Sequence, residues 1–303
     1  MKAITYSSHG SPAAFRCEEI AKPTAGDNDV LIAVRAASVN PLDWRLKASR
    51  PGRDVAGQVE AVGRNITRFK PGDEVFGTCP GAFAEYACAS ESALAMKPAN
   101  VTFEQAASVP VAALTALQGL RDKGQVQPGQ KVLINGAAGG VGTFAVQIAK
   151  SFGAEVTGVC STRNVEMVRS IGADRVIDYT QEDFTEDEQR YDLILDCVGN
   201  RPLSACRRVL NPPGKCVMVG GPKEIRILLT RLLKAFLWSR FVRQKFVLFI
   251  ARGNQEDLTI LRDLMAAGKV TPVIDRSYRL SEAPEAIQYL EEGHARGKVV
   301  ITV

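Results

Sequence analysis

The sequence predicts an α/β protein with two parts, a β-rich domain and a domain built on a doubly wound parallel sheet. Two observations predict this fold class. Short apolar strands alternate with helices from Lys131 onward, which is typical of a parallel sheet covered on both faces. The first hundred residues instead consist of strand patterns and turns. We therefore predict a split β-rich domain, residues 1–108 and 253–303, with residues 109–252 inserted as the second domain.

The β-rich part contains strand patterns separated by turn residues. Residues 29–39 and 54–63 are β-rich, and a Pro-Gly-Asp turn opens the strand pattern of residues 70–77. Apolar spacing predicts one helix over residues 103–121. After residue 252 the pattern predicts a helix, a strand, a helix and a final strand, at residues 256–267, 269–274, 281–292 and 297–303.

The inserted part alternates buried strands with helices. The strand KVLIN leads into a glycine loop and a helix that ends at Phe152, and a further helix is predicted over residues 164–172. The other strands are predicted at residues 155–160, 174–179, 191–199 and 214–221. Such a rhythm favours a parallel sheet with crossover helices.

Composition excludes several classes of function. The net charge of +5 is spread along the chain, so we expect no nucleic-acid partner. Seven cysteines occur without a C-x-x-C pair, which argues against a disulfide framework and favours a reducing compartment. The start, MKAITYSSHG, has no apolar signal-peptide segment, and no apolar run reaches membrane-spanning length. We expect a cytoplasmic protein.

The loop GAAGGVG follows a strand and opens a helix, which is the context of a dinucleotide-binding fingerprint. Its pattern is A-x-G-x-x-G, formed by Ala137, Gly139 and Gly142. Gly139 would let the backbone approach a pyrophosphate, and Gly142 would let the helix pack close to the strand. The helix N-terminus would attract the anion. The alternative is a purely structural role, in which the loop is a tight strand-to-helix turn that binds no ligand.

The end of the next strand indicates which dinucleotide binds. NAD-binding proteins place an acidic residue there for the ribose hydroxyl, but this chain has Cys160 to Asn164, CSTRN, without an acid. Hydroxyls and the guanidinium of Arg163 suit a 2′-phosphate, which favours NADPH. Ser161 or Thr162 could equally cap the following helix, and the two interpretations are compatible.

GQKVLINGAAGGVGTFAVQIAK (129–150) resembles the signature of the quinone oxidoreductase and ζ-crystallin branch of the medium-chain dehydrogenase/reductase superfamily. Further matches cover nearly the whole chain. They are AASVNPLDW (36–44), GRDVAGQVEAVG (52–63), PGDEVFG (71–77), GAFAEY (81–86), TALQGL (115–120), LDCVG (195–199) and GHARGKVVITV (293–303). The GRD and GHARGK segments look most like the subgroup of the mitochondrial reticulon-4-interacting protein.

The resemblance implies a GroES-like catalytic domain, a Rossmann domain and an active site in the cleft between them. It implies NADPH-dependent reduction of quinones or α,β-unsaturated carbonyls. By the resemblance, Asn40 would approach the nicotinamide or the substrate, and Asp43 and Trp44 belong to the same catalytic motif. The implied cofactor-binding residues are Thr115, Ala137, Gly139, Gly140, Val141, Gly142, Ser161, Arg163, Tyr179, Cys197, Val198, Gly199, Val219, Gly220 and Gly221.

The zinc-dependent branch of the superfamily needs a cysteine in the first loop and a Gly-His-Glu segment. This chain has SVNPLD (38–43) and Gly52-Arg53-Asp54 at those places, and it lacks the four-cysteine structural lobe. We therefore predict no metal and no zinc. Hydride transfer would rely on positioning and polarisation, and no residue is an obvious proton donor. Asp43 could instead cap a turn, and Trp44 could stack on a flat substrate or fill the core.

Two segments depart from the family pattern. Only Arg45 to Pro51 separate VNPLDW from GRDVAG, a stretch that is longer in relatives and forms part of the cleft rim. Residues 223–252 contain a basic amphipathic pattern that could contact an anionic membrane surface weakly. We favour a helix beside the cleft, followed by an edge strand, KFVLFIA, of the kind that pairs two subunits into a homodimer in this superfamily.

Three functions remain open from the sequence. The first is a zinc-free NADPH-dependent reductase of quinones or enones. The second is an enoyl-thioester reductase, because related reductases share the Rossmann motif. The third is a non-catalytic NADPH-binding sensor or scaffold, which the short segment before Gly52 would fit.

Overall fold

The computed structural model of the protein describes residues 1–6, 15–45, 49–219, 243–293 and 295–303, and the structural statements below concern these residues. The chain divides into two compact units, Met1–Leu114 with Arg252–Val303, and Thr115–Ala251. The division falls inside the helix Pro110–Gln118, whereas we placed the boundary before it. The start of this helix is tied to the first unit, because the backbone N–H of Val111 donates to Asp54 Oδ1 at 2.9 Å.

The first unit is built on a seven-stranded sheet with the strand order β14-β15-β3-β4-β5-β7, in which β6 also pairs with β3. A separate antiparallel pair, β1 and β2, accompanies it. The strands are β1 (Lys2–Tyr6), β2 (Phe15–Glu19), β3 (Asp29–Ser38), β4 (Asp54–Val62), β5 (Glu74–Thr78), β6 (Tyr86–Ser90), β7 (Leu94–Met96), β14 (Ile274–Arg279) and β15 (Lys298–Thr302). The helices are α1 (Pro41–Arg45), α2 (Phe103–Ala107), α3 (Pro110–Gln118), α7 (Gln255–Ala266) and α8 (Ala283–Glu291).

The register of this sheet brings three distant parts of the chain together. Ser38 at the end of β3 lies opposite Asp54 at the start of β4 and opposite Val300 in β15. The inner face is apolar and forms one core that includes Ile32, Val55 and Phe83. The loop after β3 and the first residues of β4 and β15 therefore meet beside this core.

The second unit contains a six-stranded parallel sheet with the order β10-β9-β8-β11-β12-β13. Its strands are β8 (Lys131–Asn135), β9 (Glu155–Cys160), β10 (Arg175–Asp178), β11 (Tyr191–Asp196), β12 (Leu210–Met218) and β13 (Lys245–Leu248). Its helices are α4 (Gly140–Ser151), α5 (Val165–Ser170) and α6 (Leu203–Arg208). The predicted α/β class, with a β-rich unit and a unit built on a parallel sheet, is confirmed.

Two predicted elements differ from the structure at a proline. The single helix predicted over residues 103–121 is interrupted, because Ser108 ends α2 and Pro110, which has no N–H, opens α3. The strand predicted over residues 269–274 begins only at Ile274 and runs to Arg279. Pro272 lies inside the predicted stretch, and proline cannot donate to a strand ladder.

Some predictions fall outside the described residues. These are the positions Gly220 and Gly221 and most of the amphipathic pattern of residues 223–252, which the structure describes only from Arg243 onward. In the described part of the chain, no helix is long and apolar enough to cross a membrane.

Candidate active site

A buried polar cluster lies where β3, β4 and β15 meet in the first unit. It contains Ser38, Asn40, Asp43, Asp54 and Lys298, whose exposed fractions are all 3% or less. Burial of so many polar groups is costly unless each is paired. Their partners therefore decide which of these groups remain free to act.

Asp54 is the hub of the cluster and is fully buried. Its Oδ2 accepts hydrogen bonds from Ser38 Oγ and from Asn40 Nδ2, both at 2.7 Å. Its Oδ1 accepts from the backbone N–H of Val111 at 2.9 Å, and Lys298 Nζ lies 3.6 Å from Oδ2. Both oxygens are therefore occupied, which compensates for the loss of water.

The amide of Asn40 is held at both ends. Its Nδ2 donates to Asp54 Oδ2 and, at 3.4 Å, to the carbonyl of Ser38. Its Oδ1 accepts from Lys298 Nζ at 2.7 Å. Because a carboxylate faces the nitrogen and an ammonium faces the oxygen, these partners assign the orientation of the amide. Both amide hydrogens thus point to protein acceptors.

Lys298 supplies the positive charge of the cluster. Its Nζ contacts Asn40 Oδ1, the carbonyl of Val39 at 3.3 Å, and Asp54. Burial lowers the pKa of Lys298, and the neighbouring Asp54 and Asp43 carboxyls oppose that shift. The three contacts match the three N–H donors of an ammonium.

Asp43 has one occupied and one unoccupied oxygen. Its Oδ2 accepts from the backbone N–H of Asn40 at 2.7 Å, at the start of α1, so the capping role that we considered is present. Its Oδ1 is buried and has no hydrogen-bond partner among the described residues. Burial, with a smaller contribution from the charge of Asp54, raises the pKa of this carboxyl to about 7. The Asn40 N–H, Lys298 and Arg53 oppose that rise.

Trp44 is partly buried and packs against the core of the first unit. The core-filling role is therefore present in the structure, while stacking on a substrate stays a prediction. Asn40 and Asp43 lie in one hydrogen-bonded group, and Trp44 is adjacent to Asp43 in α1.

The glycine loop of the second unit has the close packing that a dinucleotide fingerprint requires. Gly139 is the N-cap of α4, and Gly136 has a φ of +84°. A Cβ on Gly142 would lie 2.0 Å from the carbonyl oxygen of Gly136, so only glycine fits there. A Cβ on Gly139 would lie 3.4 Å from the same oxygen, with no nearer atom, so its outer side is open.

The first turn of α4 also offers donors for an anion. The helical series of hydrogen bonds begins at Thr143, whose N–H donates to the carbonyl of Gly139. The N–H groups of Gly140, Val141 and Gly142 precede it, where helices have no intrahelical acceptors. Together with the helix dipole they form the kind of site that binds phosphate groups. Ala137, at the base of the loop, is fully buried.

The residues predicted to hold a 2′-phosphate lie beside one another after two adjacent strands. The N–H of Tyr179 donates to the carbonyl of Cys160 at 3.0 Å, and Thr162 Oγ1 lies 2.9 Å from Thr180 Oγ1. Ser161 occupies a cap position but makes no cap hydrogen bond through its side chain. Its Oγ accepts from Asn164 Nδ2 at 3.2 Å. Tyr179 is 54% exposed, and Arg163 is exposed as well.

The remaining predicted cofactor residues follow β11 and β12. Asp196 Oδ1 accepts from the backbone N–H groups of Val198 and Gly199, which fixes the loop that begins at Cys197. The N–H of Val219 donates to the carbonyl of Asp196. Burial raises the pKa of the Cys197 thiol, so it is not poised as a nucleophile. Thr115 lies in α3, apart from these strand ends in the sequence.

The cluster around Asp54 does not suit zinc. In the described parts of the chain, no group of three or more His, Cys, Asp or Glu side chains is arranged to hold a metal ion. Where zinc-dependent relatives have Gly-His-Glu, the Asp54 carboxylate already accepts three hydrogen bonds and faces an ammonium. Zinc prefers free thiolate and imidazole ligands, and it would be repelled by Lys298.

Sequence reasoning missed three residues as site members. Asp54 and Lys298 stand in the GRD and GHARGK segments, and Asn164 ends the CSTRN segment. A lysine directly before the apolar run VVITV was a usable signal, because it predicts a charged side chain at the entrance of a buried strand. Asn164 is 7% exposed, and its Oδ1 has no partner among the described residues. No pattern in the sequence indicated that.

Comparison with known families matches both units. Residues 26–99 match the alcohol dehydrogenase GroES-like domain, and residues 171–301 match the family called zinc-binding dehydrogenase. A quinone-oxidoreductase, QR1, from Triphysaria versicolor chloroplasts is 34% identical over 99% of this chain and 98% of its own length. The mouse mitochondrial NAD(P)H oxidoreductase RTN4IP1 is 35% identical over 91% of this chain and 82% of its own length.

Other comparisons extend this relationship. The chloroplastic NADPH-dependent alkenal/one oxidoreductase of Arabidopsis thaliana is 34% identical over 99% of this chain and 79% of its own length. The solved quinone oxidoreductase of Coxiella burnetii superimposes with a TM-score of 0.88, at 32% identity over 100% of this chain and 99% of that chain. The alignment with the Triphysaria protein spans 330 positions, although this chain has 303 residues, so that relative contains residues that this chain lacks.

Proposed function

The chain belongs to the quinone oxidoreductase branch of the medium-chain dehydrogenase/reductase superfamily, and from this premise we propose that it is an NADPH-dependent reductase of quinones or α,β-unsaturated carbonyls that works without zinc. The observation that carries the proposal is that the chain has two features of such a reductase. One is the glycine loop at the N-terminus of α4, and the other is the buried Asn40–Asp54–Lys298 cluster. Each compact unit contains one of them.

NADPH binding is supported by the second unit. Gly139 leaves space at the start of α4, and the loop lies at the carboxyl edge of a parallel sheet, where dinucleotides bind. Ser161, Arg163 and Tyr179 offer hydroxyls and a guanidinium to a 2′-phosphate, and no acidic residue stands at the end of β9 to repel it. When bound, NADPH would supply the hydride. The chain's own residues would hold its phosphates and fix the ring position.

The substrate class is supported by two relatives, whose names specify quinones in one and alkenals and enones in the other. Both are flat, electron-poor acceptors that develop negative charge on oxygen as they take a hydride. In the first unit, the charges of Asp54 and Lys298 balance, and Asn40 is fixed between them. Because the Asn40 amide hydrogens and the Lys298 N–H groups already have protein acceptors, we assign the cluster a positioning role and no direct hydrogen bond to the substrate oxygen.

Independence from zinc is supported by the occupancy of the Asp54 oxygens and by the ammonium of Lys298. The name of the family that matches residues 171–301 refers to zinc, so the point needs measurement. Purified protein treated with a chelator should keep its full turnover rate, and elemental analysis should find substoichiometric zinc. One zinc per chain together with loss of turnover on chelation would end this part of the proposal.

The direct test is oxidation of NADPH by purified protein with a soluble quinone and an enone in parallel. We expect turnover with NADPH and little with NADH, because Arg163 favours the 2′-phosphate. Arg163→Ala should raise the KM for NADPH by about tenfold to a hundredfold, the equivalent of one charge-assisted hydrogen bond. The KM for NADH should hardly change.

The outcomes also separate the alternatives. Turnover of crotonyl thioesters, with quinones inert, would identify an enoyl-thioester reductase. Tight NADPH binding with no turnover of any acceptor would identify a sensor or scaffold. The fact that this chain is shorter than the Triphysaria protein would be consistent with that alternative. No binding of NADPH would overturn the proposal altogether.

We propose a cytoplasmic homodimer for the assembled protein. β13 lies at the edge of the six-stranded sheet among the described strands, and edge strands offer unpaired N–H and C=O groups to a second copy. Light scattering should give twice the chain mass.

Weak contact of residues 223–252 with membranes also stays a proposal, which co-sedimentation with anionic vesicles at low salt would test. No nucleic-acid binding is expected.

A further inference from the structure

An open cavity of about 370 Å³ lies at the surface of the second unit, and it is lined by Arg190, Ser204, Arg207, Arg208 and Gln244. Clefts that bind small ligands commonly have volumes of ~300–1,000 Å³. Three of the five lining residues are arginines, and all three are exposed. The cavity is therefore large enough for a small ligand and offers it positive charge.

The lining residues place this cavity at one edge of the parallel sheet. Arg190 directly precedes β11, Arg208 ends α6 shortly before β12, and Gln244 directly precedes β13. These three strands are neighbours and run parallel, so their amino ends meet at the same edge. The glycine loop follows the carboxyl end of β8, which runs parallel to β11, and so belongs to the opposite edge. The cavity is thus separate from the predicted cofactor site.

The protein does not neutralise the positive charge of the cavity. Within the described ranges, none of Arg190, Arg207 and Arg208 forms an ion pair. Arg190 Nη1 donates to the carbonyl of Arg208 at 2.8 Å, so its guanidinium is anchored at the end of α6. Residues 220–242, which lie outside the described ranges, contain a single acid, Glu224, and cannot neutralise three arginines. Uncompensated cationic groups around one cavity attract anions.

The charges next to the cavity in the chain do not change this balance. Asp187 accepts from Arg175 and from the Tyr191 hydroxyl, both at 2.6 Å. Glu188 is exposed and forms no ion pair with the residues that the structure describes. Lys215 in β12 lies opposite Lys245 in β13, and burial together with the charge of Lys245 lowers the pKa of Lys215. Positive charge therefore accumulates along this edge of the sheet.

Gln244 adds polar atoms that have no protein partner. The residue is 8% exposed, and its side-chain amide makes no hydrogen bond to another described residue. Neither amide atom is fully sealed from solvent, because such unpartnered atoms occur in the described chain only at Asp43 and Asn164. Gln244 lines the cavity, so its small accessible surface opens there. A buried amide without a hydrogen bond is unfavourable, and a ligand in the cavity would supply the missing bonds.

We propose that this cavity is a binding site for a phosphate group, carried by a soluble phosphorylated molecule or by the headgroup of an anionic lipid. Arginine matches phosphate oxygens well, because its planar guanidinium donates two parallel hydrogen bonds. A phosphate monoester has three acceptor oxygens and up to about two negative charges, so it can engage several arginines at once. Gln244 and Ser204 supply neutral donors. The site does not depend on the proposed reductase activity.

The test titrates inorganic pyrophosphate into purified protein by calorimetry at constant ionic strength, with and without saturating NADPH. Wild type should bind pyrophosphate in both conditions, because the cavity and the glycine loop lie at opposite edges of the sheet. Arg207→Gln and Arg208→Gln should each weaken binding by about tenfold or more, since each removes a charge-assisted hydrogen bond. Both arginines are exposed, so the variants should keep the wild-type Tm.

Arg169→Gln is the matched control. Arg169 is an exposed arginine of the same unit that pairs with Glu166 on α5, and its removal changes the net charge by the same amount. This variant should retain the affinity for pyrophosphate. Equal weakening in all three variants would indicate attraction to net charge alone. Binding that NADPH abolishes and the cavity variants retain would place the anion at the glycine loop. Either result, or no pyrophosphate binding by wild type, would overturn the proposal.

Vesicles identify the source of the phosphate group. Co-sedimentation compares phosphatidylcholine vesicles with and without phosphatidic acid, whose headgroup is a phosphate monoester. Binding to phosphatidic acid that pyrophosphate displaces and Arg207→Gln weakens would support a lipid headgroup. Pyrophosphate binding without vesicle binding would support a soluble phosphorylated molecule. None of these measurements uses turnover, so a protein that reduces no acceptor would fail as a reductase and still be tested for this site.

Discussion

At the scale of single residues, Lys298 and Asp54 form an ion pair. Both members are buried too deeply for water to take the place of either one. Asp54 is 0% exposed and Lys298 3% exposed. Removing one member of a buried pair leaves the other charge uncompensated, which is why such pairs tolerate joint replacement better than single replacement. Lys298 also fixes the Asn40 amide, so it positions a residue of the candidate site.

We expect Lys298→Met to lower the free energy of unfolding by about 3–5 kcal/mol. The double variant Lys298→Met, Asp54→Asn should cost less than the sum of its single variants, since no buried charge is left. Lys97→Met is the control, because the Lys97 side chain is only 6% exposed but its partner Glu74 is 48% exposed and can be hydrated. Urea denaturation gives the free energy of unfolding of the four variants, which are Lys298→Met, Asp54→Asn, their combination and Lys97→Met. A smaller loss at Lys298 than at Lys97 would contradict the account of the cluster.

The residue scale is also where the sequence was least informative. Asn40 and Asp43 could be chosen from the VNPLDW motif, but the Asn40 amide turned out to be occupied by Asp54 and Lys298. These partners are far apart in the chain, and only the pairing of β3 with β4 and β15 brings them together. Side-chain patterns within one segment do not contain that information.

At the scale of elements, the strand–loop–helix unit from β8 to α4 was predictable. Its apolar strand, its glycines and its amphipathic helix each point to the same local structure. Boundaries failed where a proline stood inside a periodic pattern, at Pro110 and Pro272. Apolar spacing indicates which side of an element is buried. It does not show that a proline removes one backbone N–H donor and interrupts the element.

Two glycines of this unit should respond differently to alanine. Gly142→Ala should lower the free energy of unfolding by about 1–3 kcal/mol, because its Cβ would collide with the Gly136 carbonyl. Gly139→Ala should leave stability nearly unchanged, since its φ is −85° and its Cβ position is open. It should nevertheless weaken NADPH binding by about tenfold or more, because the methyl group would block the pyrophosphate. Thermal unfolding and fluorescence titration measure the two effects, and unchanged NADPH affinity in Gly139→Ala would contradict the assigned cofactor site.

At the scale of the whole molecule, the two-part architecture followed from one change in rhythm along the chain. Strand-and-turn patterns precede the helix region, and alternating strands and helices follow it, because antiparallel and parallel sheets need different connections. The exact division was less accessible. It falls within α3, whose Val111 is tied to Asp54 by a hydrogen bond that no local pattern reveals.

The central claim is that this chain transfers a hydride from NADPH to an activated acceptor. The most direct measurement uses NADPH deuterated on either face of its nicotinamide C4, an enone as acceptor, and mass spectrometry of the product. The account predicts one deuterium on the product from only one of the two labelled cofactors, bound at the β-carbon, with the α-hydrogen drawn from solvent. Product formed without deuterium from either cofactor, or no product, would contradict direct hydride transfer by this protein.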